Sequence, residues 1–255
     1  MNKSTQNFAQ IQQKLKLLDK NQNWLQILSP WLKTELTYTS NSLEGNTLSL
    51  LETSLVINEN QSIGGKNLRE IYEAKNHAMA WDYMQHNLLN LLTAELVERH
   101  FLEIHSLILR NIDDFNGGKY RNVGVRVAGS NTIFPNYLKV NDLMTTTFHW
   151  LHNSSKIENT HENKFQDILE IAFLFHLRIV KIHPFSDGNG RTTRLFMNAI
   201  LMQNNYPPLD ILPSNRLLYL QSLESSTTDN PTQFLDFCFN QYNQNLDTYL
   251  ATFDN

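Results

Sequence analysis

Residues 183 to 194 read HPFSDGNGRTTR, and the groups in that dozen that could do chemistry are His183, Asp187, Asn189, Arg191 and Arg194. An imidazole with an ordinary pKa of about 6.5 is largely neutral near pH 7 and suits a general base taking a proton from a hydroxyl. Asp187 is a hard oxygen donor of the kind that holds Mg2+ together with substrate phosphates. Gly188 and Gly190 permit positive φ and close approach of a ligand to the backbone, and successive N–H groups in such a turn form a concave anion site. A helix starting near residue 190 adds unpaired N–H groups and the positive end of its dipole. Arg191 and Arg194 are three apart and share one face of its first turn. Two cations there oppose the dipole, an effect of roughly 0.3 to 2 kcal/mol. A polyphosphate gripped by both guanidinium forks would reverse that penalty.

Other readings of the stretch fail. As a calcium loop it would put Arg191 at position five and Asn198 at position twelve. As a dinucleotide fingerprint it has arginine at the final glycine, and a helix precedes it where a strand is required. The sequence contains neither GxxxxGK[ST] nor HExxH.

The elements around the stretch must position it. ILEIAFLFHLRIVKI, residues 168 to 182, is apolar on nearly every side, which predicts a central buried helix. Pro184 stops that helix and biases His183 toward an extended backbone, and Phe185 is the expected apolar anchor. Helical spacing predicts further helices over 8 to 19, 24 to 44 (one or two, interrupted near Ser29-Pro30), 67 to 87, 93 to 110, 140 to 152, 165 to 181, 191 to 204, 214 to 224 and 231 to 251. Asn230-Pro231 reads as an N-cap followed by proline at the first helical position. Residues 116 to 135 differ: glycine punctuation and alternation at Val123, Val125 and Val127 predict a β-hairpin.

Composition bounds the function. The chain has 255 residues, 41% of them apolar, enough for one substantial core. A net charge of −4 argues against a nucleic-acid surface. No run approaches the roughly 18 apolar residues of a membrane span, and the first residues lack a secretory apolar region, so a soluble cytoplasmic protein is expected. Cys238, among aromatics, reads as a buried apolar residue.

A second stretch, TYTSNSLEGNTLSL, places Ser40 and Glu44 four apart on one helical face, with Gly45 as a helix stop.

HPFSDGNGRTTR resembles the core motif of the Fic (filamentation induced by cAMP) family, HPFx[DE]GNGRxxR, at every fixed position. FLEIHSLILR followed by GGKYRNVGVRVAGSNTIFP is similar to that family's helix and hairpin flap, and the likeness covers residues 30 to 205. Ser40, Glu44 and Gly45 match the family's inhibitory motif, [ST]xxxE[GN], in the position of the class that carries it before the domain.

The resemblance implies an all-α Fic fold, a compact helical core with a β-hairpin flap over the active site. It implies an N-terminal inhibitory segment (1–60), a Fic core (61–208) and C-terminal helices packed on it (209–255). It implies transfer of AMP from ATP, with Mg2+ or Mn2+, to a Tyr, Thr or Ser hydroxyl of a protein target. His183 would be the base, Asp187 the metal ligand, and Gly188, Asn189 and Gly190 the anion hole, with Asn189 on the α-phosphate. Arg191 would hold the β-phosphate and Arg194 the γ-phosphate. Val127, Ala128, Gly129, Ser130, Ile133 and Phe134 would clamp the target by strand addition, and Tyr219 is a candidate adenine contact. Glycine at 190, where a lysine marks kinase relatives, favours nucleotidyl transfer. Glu44 paired with Arg194 would block the γ-phosphate. Self-modification and self-association are compatible with this reading; a nucleic-acid or membrane partner is not expected. A de-AMPylating hydrolase using Glu44, or a nucleotide sensor without catalysis, stay open at this point.

Overall fold

The computed structural model describes residues 3–21, 23–87, 94–127, 132–154 and 164–253. Among them the regular structure is helical: α1 Lys3–Leu18, α2 Trp24–Leu43, α3 Leu50–Asn58, α4 Leu68–Asn87, α5 Ala94–Leu109, α6 Val140–Ser154, α7 Lys164–Ile182, α8 Asn189–Gln203, α9 Arg216–Ser225 and α10 Thr232–Ala251. Single 3-10 turns lie at Tyr137–Lys139 and Pro213–Asn215.

The centre of the fold is α7. It packs against α6, α8 and α10 and buries Leu169, Phe173, Phe175 and Ile179 completely; Asp167, Glu170, Arg178 and Lys181 form a half-buried polar stripe along one side. Phe185, just past its end, stacks on Phe101 and His105. Burying such a ring contributes about 1.5 to 3 kcal/mol, and it pins the loop between α7 and α8 to the core. Ile11, Leu15 and Leu18 of α1 join the same core, and α1 lies along α10.

Four expectations need correction. First, α2 runs unbroken through Pro30. Trp24, Leu28, Leu32 and Leu36 form one buried stripe on both sides of it, and that packing outweighs the lost N–H. Second, α3 was not anticipated. Its signal is SLLE at 49 to 52, a capping box in which Ser49 Oγ accepts from Glu52 N and Glu52 accepts from Ser49 N. Third, α10 begins one residue later than expected, at Thr232, with Pro231 at the cap and Ser226 Oγ accepting from the Phe234 N–H at 3.0 Å. Fourth, the alternating valines at 123 to 127 form no paired strand among the described residues. The expected turn, with Ala128, Gly129 and Ser130, lies outside them. None of the described helices is long and apolar enough to cross a membrane.

Three imidazoles are sealed in the core. Burial holds His77 and His176 neutral down to about 3 and His105 to about 4, against an ordinary 6.5. Below pH 6.5 the unfolded chain therefore takes up protons that the native chain refuses. Stability is full above that pH and falls as pH drops through the window. Asp210, buried and pushed up to about 7, and Asp19, Glu35 and Glu170, raised by burial, act in the opposite sense, while His183, lowered to about 4, adds to the imidazoles. The urea midpoint is expected to fall steadily from pH 7 to pH 5; a flat midpoint over that range would contradict three buried neutral imidazoles.

Candidate active site

The site is built at the α7–α8 junction. The His183 N–H donates to Ile179 O at 2.8 Å and closes the last turn of α7. The extended backbone expected before Pro184 is not found: His183 has φ 51, in the left-handed region. A residue outside the motif explains this. Arg121, 4% exposed, donates through Nε to His183 O at 2.8 Å, and its own backbone N–H donates to Pro184 O at 2.8 Å. Its Nη1 donates to Val123 O at 2.8 Å and its Nη2 to Pro135 O at 2.6 Å. One buried guanidinium thus joins the end of α7 to both limbs of the segment read as a flap. These charged bonds offset a backbone strain on the order of 1 to 3 kcal/mol.

The His183 ring lies 4.4 Å from that of Phe134, centroid to centroid. Its Nδ1 is buried without a hydrogen-bond partner among the described residues. Burial, aided by Arg121, lowers its pKa to about 4, so the imidazole is neutral at pH 7 and able to accept a proton.

Asp187 faces the same cavity as His183. Its Oδ1 accepts from Gly188 N at 2.6 Å and Arg191 Nη2 at 3.2 Å; its Oδ2 accepts from Arg69 Nη2 at 2.5 Å. Burial works against its charge, but Arg191, the Gly188 N–H and Arg69 hold the carboxyl below the usual range. His105 fixes the backbone here. Its Nδ1 accepts from Gly118 N at 2.9 Å, which leaves Nε2 as the donor to Asp187 O at 3.0 Å. Glu73 on α4 pairs with both Arg191 (3.0 Å) and Arg69 (3.2 Å).

A divalent cation fits this donor set as a partner of phosphate. Asp187 is anionic, and among the described residues no three His, Cys, Asp or Glu side chains converge. A cation on Asp187 would complete its shell with phosphate and water oxygens, the habit of Mg2+.

At the start of α8, Gly188 has φ 77, and Gly190 leaves room for a carboxylate: a Cβ there would stand 2.1 Å from Glu44 Oε1. That carboxylate belongs to the residue ending α2. Arg194, 5% exposed, donates Nε to Ser40 Oγ (3.0 Å) and Nη2 to Ser40 O (2.9 Å) and Glu44 Oε1 (2.7 Å). Arg216 Nε donates to Leu43 O at 2.8 Å, satisfying a carbonyl left over at the end of α2. Gly45, at φ 98, turns the chain away.

Glu44, His183, Asp187, Gly190, Arg194 and Tyr219 line one cavity with Val127 and Phe134. Ile133 lies 91% exposed beside them. Two motif residues are committed elsewhere. Asn189 uses its side-chain amide on Phe185, accepting from its N–H (2.9 Å) and donating to its C=O (2.8 Å), so only its backbone N–H is left for an anion. Arg191 is 2% exposed and turned to Asp187 and Glu73. Tyr219 is buried, its hydroxyl 2.8 Å from His176 Nε2. Sequence reasoning missed Arg69, Glu73, His105, Arg121 and Arg216. The only local hint was the i,i+4 pair Arg69–Glu73 on α4.

An all-helical core with a glycine-walled anion site, a neutral imidazole and an intruding glutamate defines a Fic-type domain. Residues 95–201 match the Fic/DOC family model. The chain belongs to that family. It is 34% identical over 218 residues to protein adenylyltransferase Fic of Drosophila grimshawi, covering 85% of this chain and 43% of that protein. It is 34% identical over 213 residues to the Aedes aegypti protein of the same name, covering 84% and 41%. The chain spans less than half the length of these relatives. Fic-1 from C. elegans superposes with a TM-score of 0.80 at 25% identity, covering 98% of this chain and 74% of that one. A Fic domain containing signaling protein from Bacteroides thetaiotaomicron gives 0.79 at 24%, covering 96% and 95%, and bears on the fold alone.

Replacing Arg121 with Met removes the shared side-chain donor of the His183, Val123 and Pro135 carbonyls, and stability is expected to drop by roughly 1.5 to 3 kcal/mol. Urea denaturation of the purified variant checks this; a loss within experimental error contradicts the assigned role.

Proposed function

We propose that this chain transfers AMP from ATP to a hydroxyl of a protein target and rests in a self-inhibited state. The observation that carries the reading is the Glu44 carboxylate lodged against Gly190 and paired with Arg194, in a cavity that also holds a neutral His183.

In this reading residues 1–60 carry the inhibitory helix, 61–208 the Fic core and 209–255 the helices that close the nucleotide pocket. The γ-phosphate takes Arg194. The backbone N–H groups of Gly188, Asn189 and Gly190 bind the other phosphates, with Arg191 acting on the β-phosphate through its hold on Asp187. Asp187 would hold Mg2+ or Mn2+, which when bound supplies charge neutralisation to the phosphates. His183 takes the proton of the attacking hydroxyl. Tyr219 forms the pocket wall toward the base. Residues 126 to 135 form the flap. Ile133 offers an apolar side chain to a target, and a strand laid along this segment needs no sequence motif in the target. Val127, Ala128, Gly129, Ser130 and Phe134 complete that platform.

While Glu44 holds Arg194, ATP binds with its γ-phosphate displaced and its α-phosphate out of line with the hydroxyl. A misplacement of about 1 Å costs roughly 100-fold in rate.

A second reading is supported by the position of the same glutamate. It pairs through Oε1, and its side chain is 39% exposed to the cavity. A carboxylate so placed could deprotonate a water and release AMP from a modified protein.

Intact-mass measurement after incubation with ATP and Mg2+ tests both. Glu44→Gly is expected to raise AMP incorporation about 10- to 100-fold, and His183→Ala to lower it at least about 100-fold. No gain on removing Glu44 contradicts the inhibitory role. Loss of AMP from a pre-modified target that requires Glu44 favours the second reading.

The pH dependence follows from the sign of the His183 shift. Because burial lowers its pKa to about 4 and Glu44 opposes that shift, removing Glu44 leaves the acidic limb of kcat/KM no higher. For Glu44→Gly, kcat/KM is expected to stay level from pH 8 down to about 5.5. A limb centred at 6.5 would mean that His183 is not the buried base described here.

A further inference from the structure

We propose, resting on the assignment of Asp187 as a cation ligand, that Arg69 occupies the cation's place on that carboxylate in the resting protein. It thereby sets the divalent-cation concentration at which the site loads. The argument lies in which partner of Asp187 is able to leave. Oδ1 is held by the N–H of Gly188, its neighbour in the chain, and by Arg191. Arg191 is 2% exposed and paired to Glu73, so neither partner withdraws without breaking a buried contact. Oδ2 is held by Arg69 at 2.5 Å. Arg69 comes from a different element, α4, and its side chain is 53% exposed. Its Nη2 swings into solvent without opening the core.

The same guanidinium is tethered. Its Nε donates to Glu73 Oε1 at 3.2 Å, one turn along α4. When Nη2 leaves Asp187, the arginine stays beside the loop and returns when the carboxylate is vacated. A guanidinium bonded to Oδ2 takes up a lone pair that a divalent cation would use, and its positive charge repels one. Arg69 is therefore a competitor of the cation. It keeps the Asp187 charge neutralised without one, and loading becomes an exchange of one cation for another.

The discriminating feature is the sign of the effect. If Arg69 merely supports the loop, removing it loosens Asp187 and weakens cation binding. If Arg69 competes, removing it tightens binding. Mn2+ uptake by the full chain with saturating ADP, read from the EPR signal of free Mn2+, separates the two without relying on catalysis. Arg69→Met is expected to lower the half-saturating Mn2+ concentration roughly 3- to 10-fold, with Arg69→Lys, which keeps the charge but not the fork, in between. Unchanged or weaker Mn2+ binding by Arg69→Met overturns the proposal. Asp187→Asn in the same titration keeps the two ideas apart. If it binds Mn2+ as the wild type does, the cation role of Asp187 fails and the proposal with it. If it loses the protein-dependent uptake while Arg69→Met gains nothing, only the competition fails. Thermal midpoints of the variants without Mn2+ establish that each is folded.

Discussion

A guanidinium buried to 5% exposure has to have an anion, and Arg194 is that group. Leaving it uncompensated would cost about 3 to 5 kcal/mol. Much of the site follows from this. The helix α2 ends where its last side chain reaches Arg194, Gly190 has no Cβ because the Glu44 carboxylate occupies that space, and Ser40 contributes both its hydroxyl and its carbonyl to the same guanidinium. Arg216 secures the neighbouring carbonyl of Leu43. Glu44 meets that electrostatic requirement from within the chain; on the function proposed above, a nucleotide phosphate would meet it in its place.

The way α2 is docked suits such an exchange. Its first half is held by Trp24, Leu28, Leu32 and Leu36, a dry stripe. Its last turns bury Thr37, Thr39, Ser40 and Asn41 beside Leu43. Thr37 Oγ1 is 3.0 Å from His77 Nδ1, and Thr39 donates to Asp210 at 2.6 Å. Each hydrogen bond contributes about 0.5 to 1.5 kcal/mol net, so this end of the helix is held largely by polar contacts. Glu73 links it to the Asp187 loop, accepting from Asn46 through Oε2 at 3.0 Å while its Oε1 pairs with Arg191 and Arg69. The turn after α2 and the Asp187 loop thus share one carboxylate on α4.

What was legible in the sequence is what is contiguous in it. His183, Asp187, Gly188 and Gly190 lie in one short stretch from the end of α7 to the first turn of α8, and α7 announced itself by being apolar on most sides. The hydrogen bond from Arg194 to Glu44 spans 150 residues; the i,i+4 spacing of Ser40 and Glu44 showed a shared face but not what faced it, and only the resemblance supplied the partner. Arg121, His105 and Arg216 carried no local mark, because their roles exist only once distant segments meet. The local rules that failed did so for the same reason. The pre-proline preference at His183 yields to a buried arginine from 62 residues away, and the break expected at Pro30 yields to a core stripe.

The central claim is that Glu44 and the γ-phosphate compete for Arg194. Calorimetric affinities for ATP and ADP, each measured on the wild type and on Glu44→Gly under non-reactive conditions, test it directly. The account predicts that removing Glu44 tightens ATP binding several-fold more than ADP binding, since only ATP brings the group that Glu44 displaces. Equal gains for the two nucleotides, or no gain for either, would contradict it.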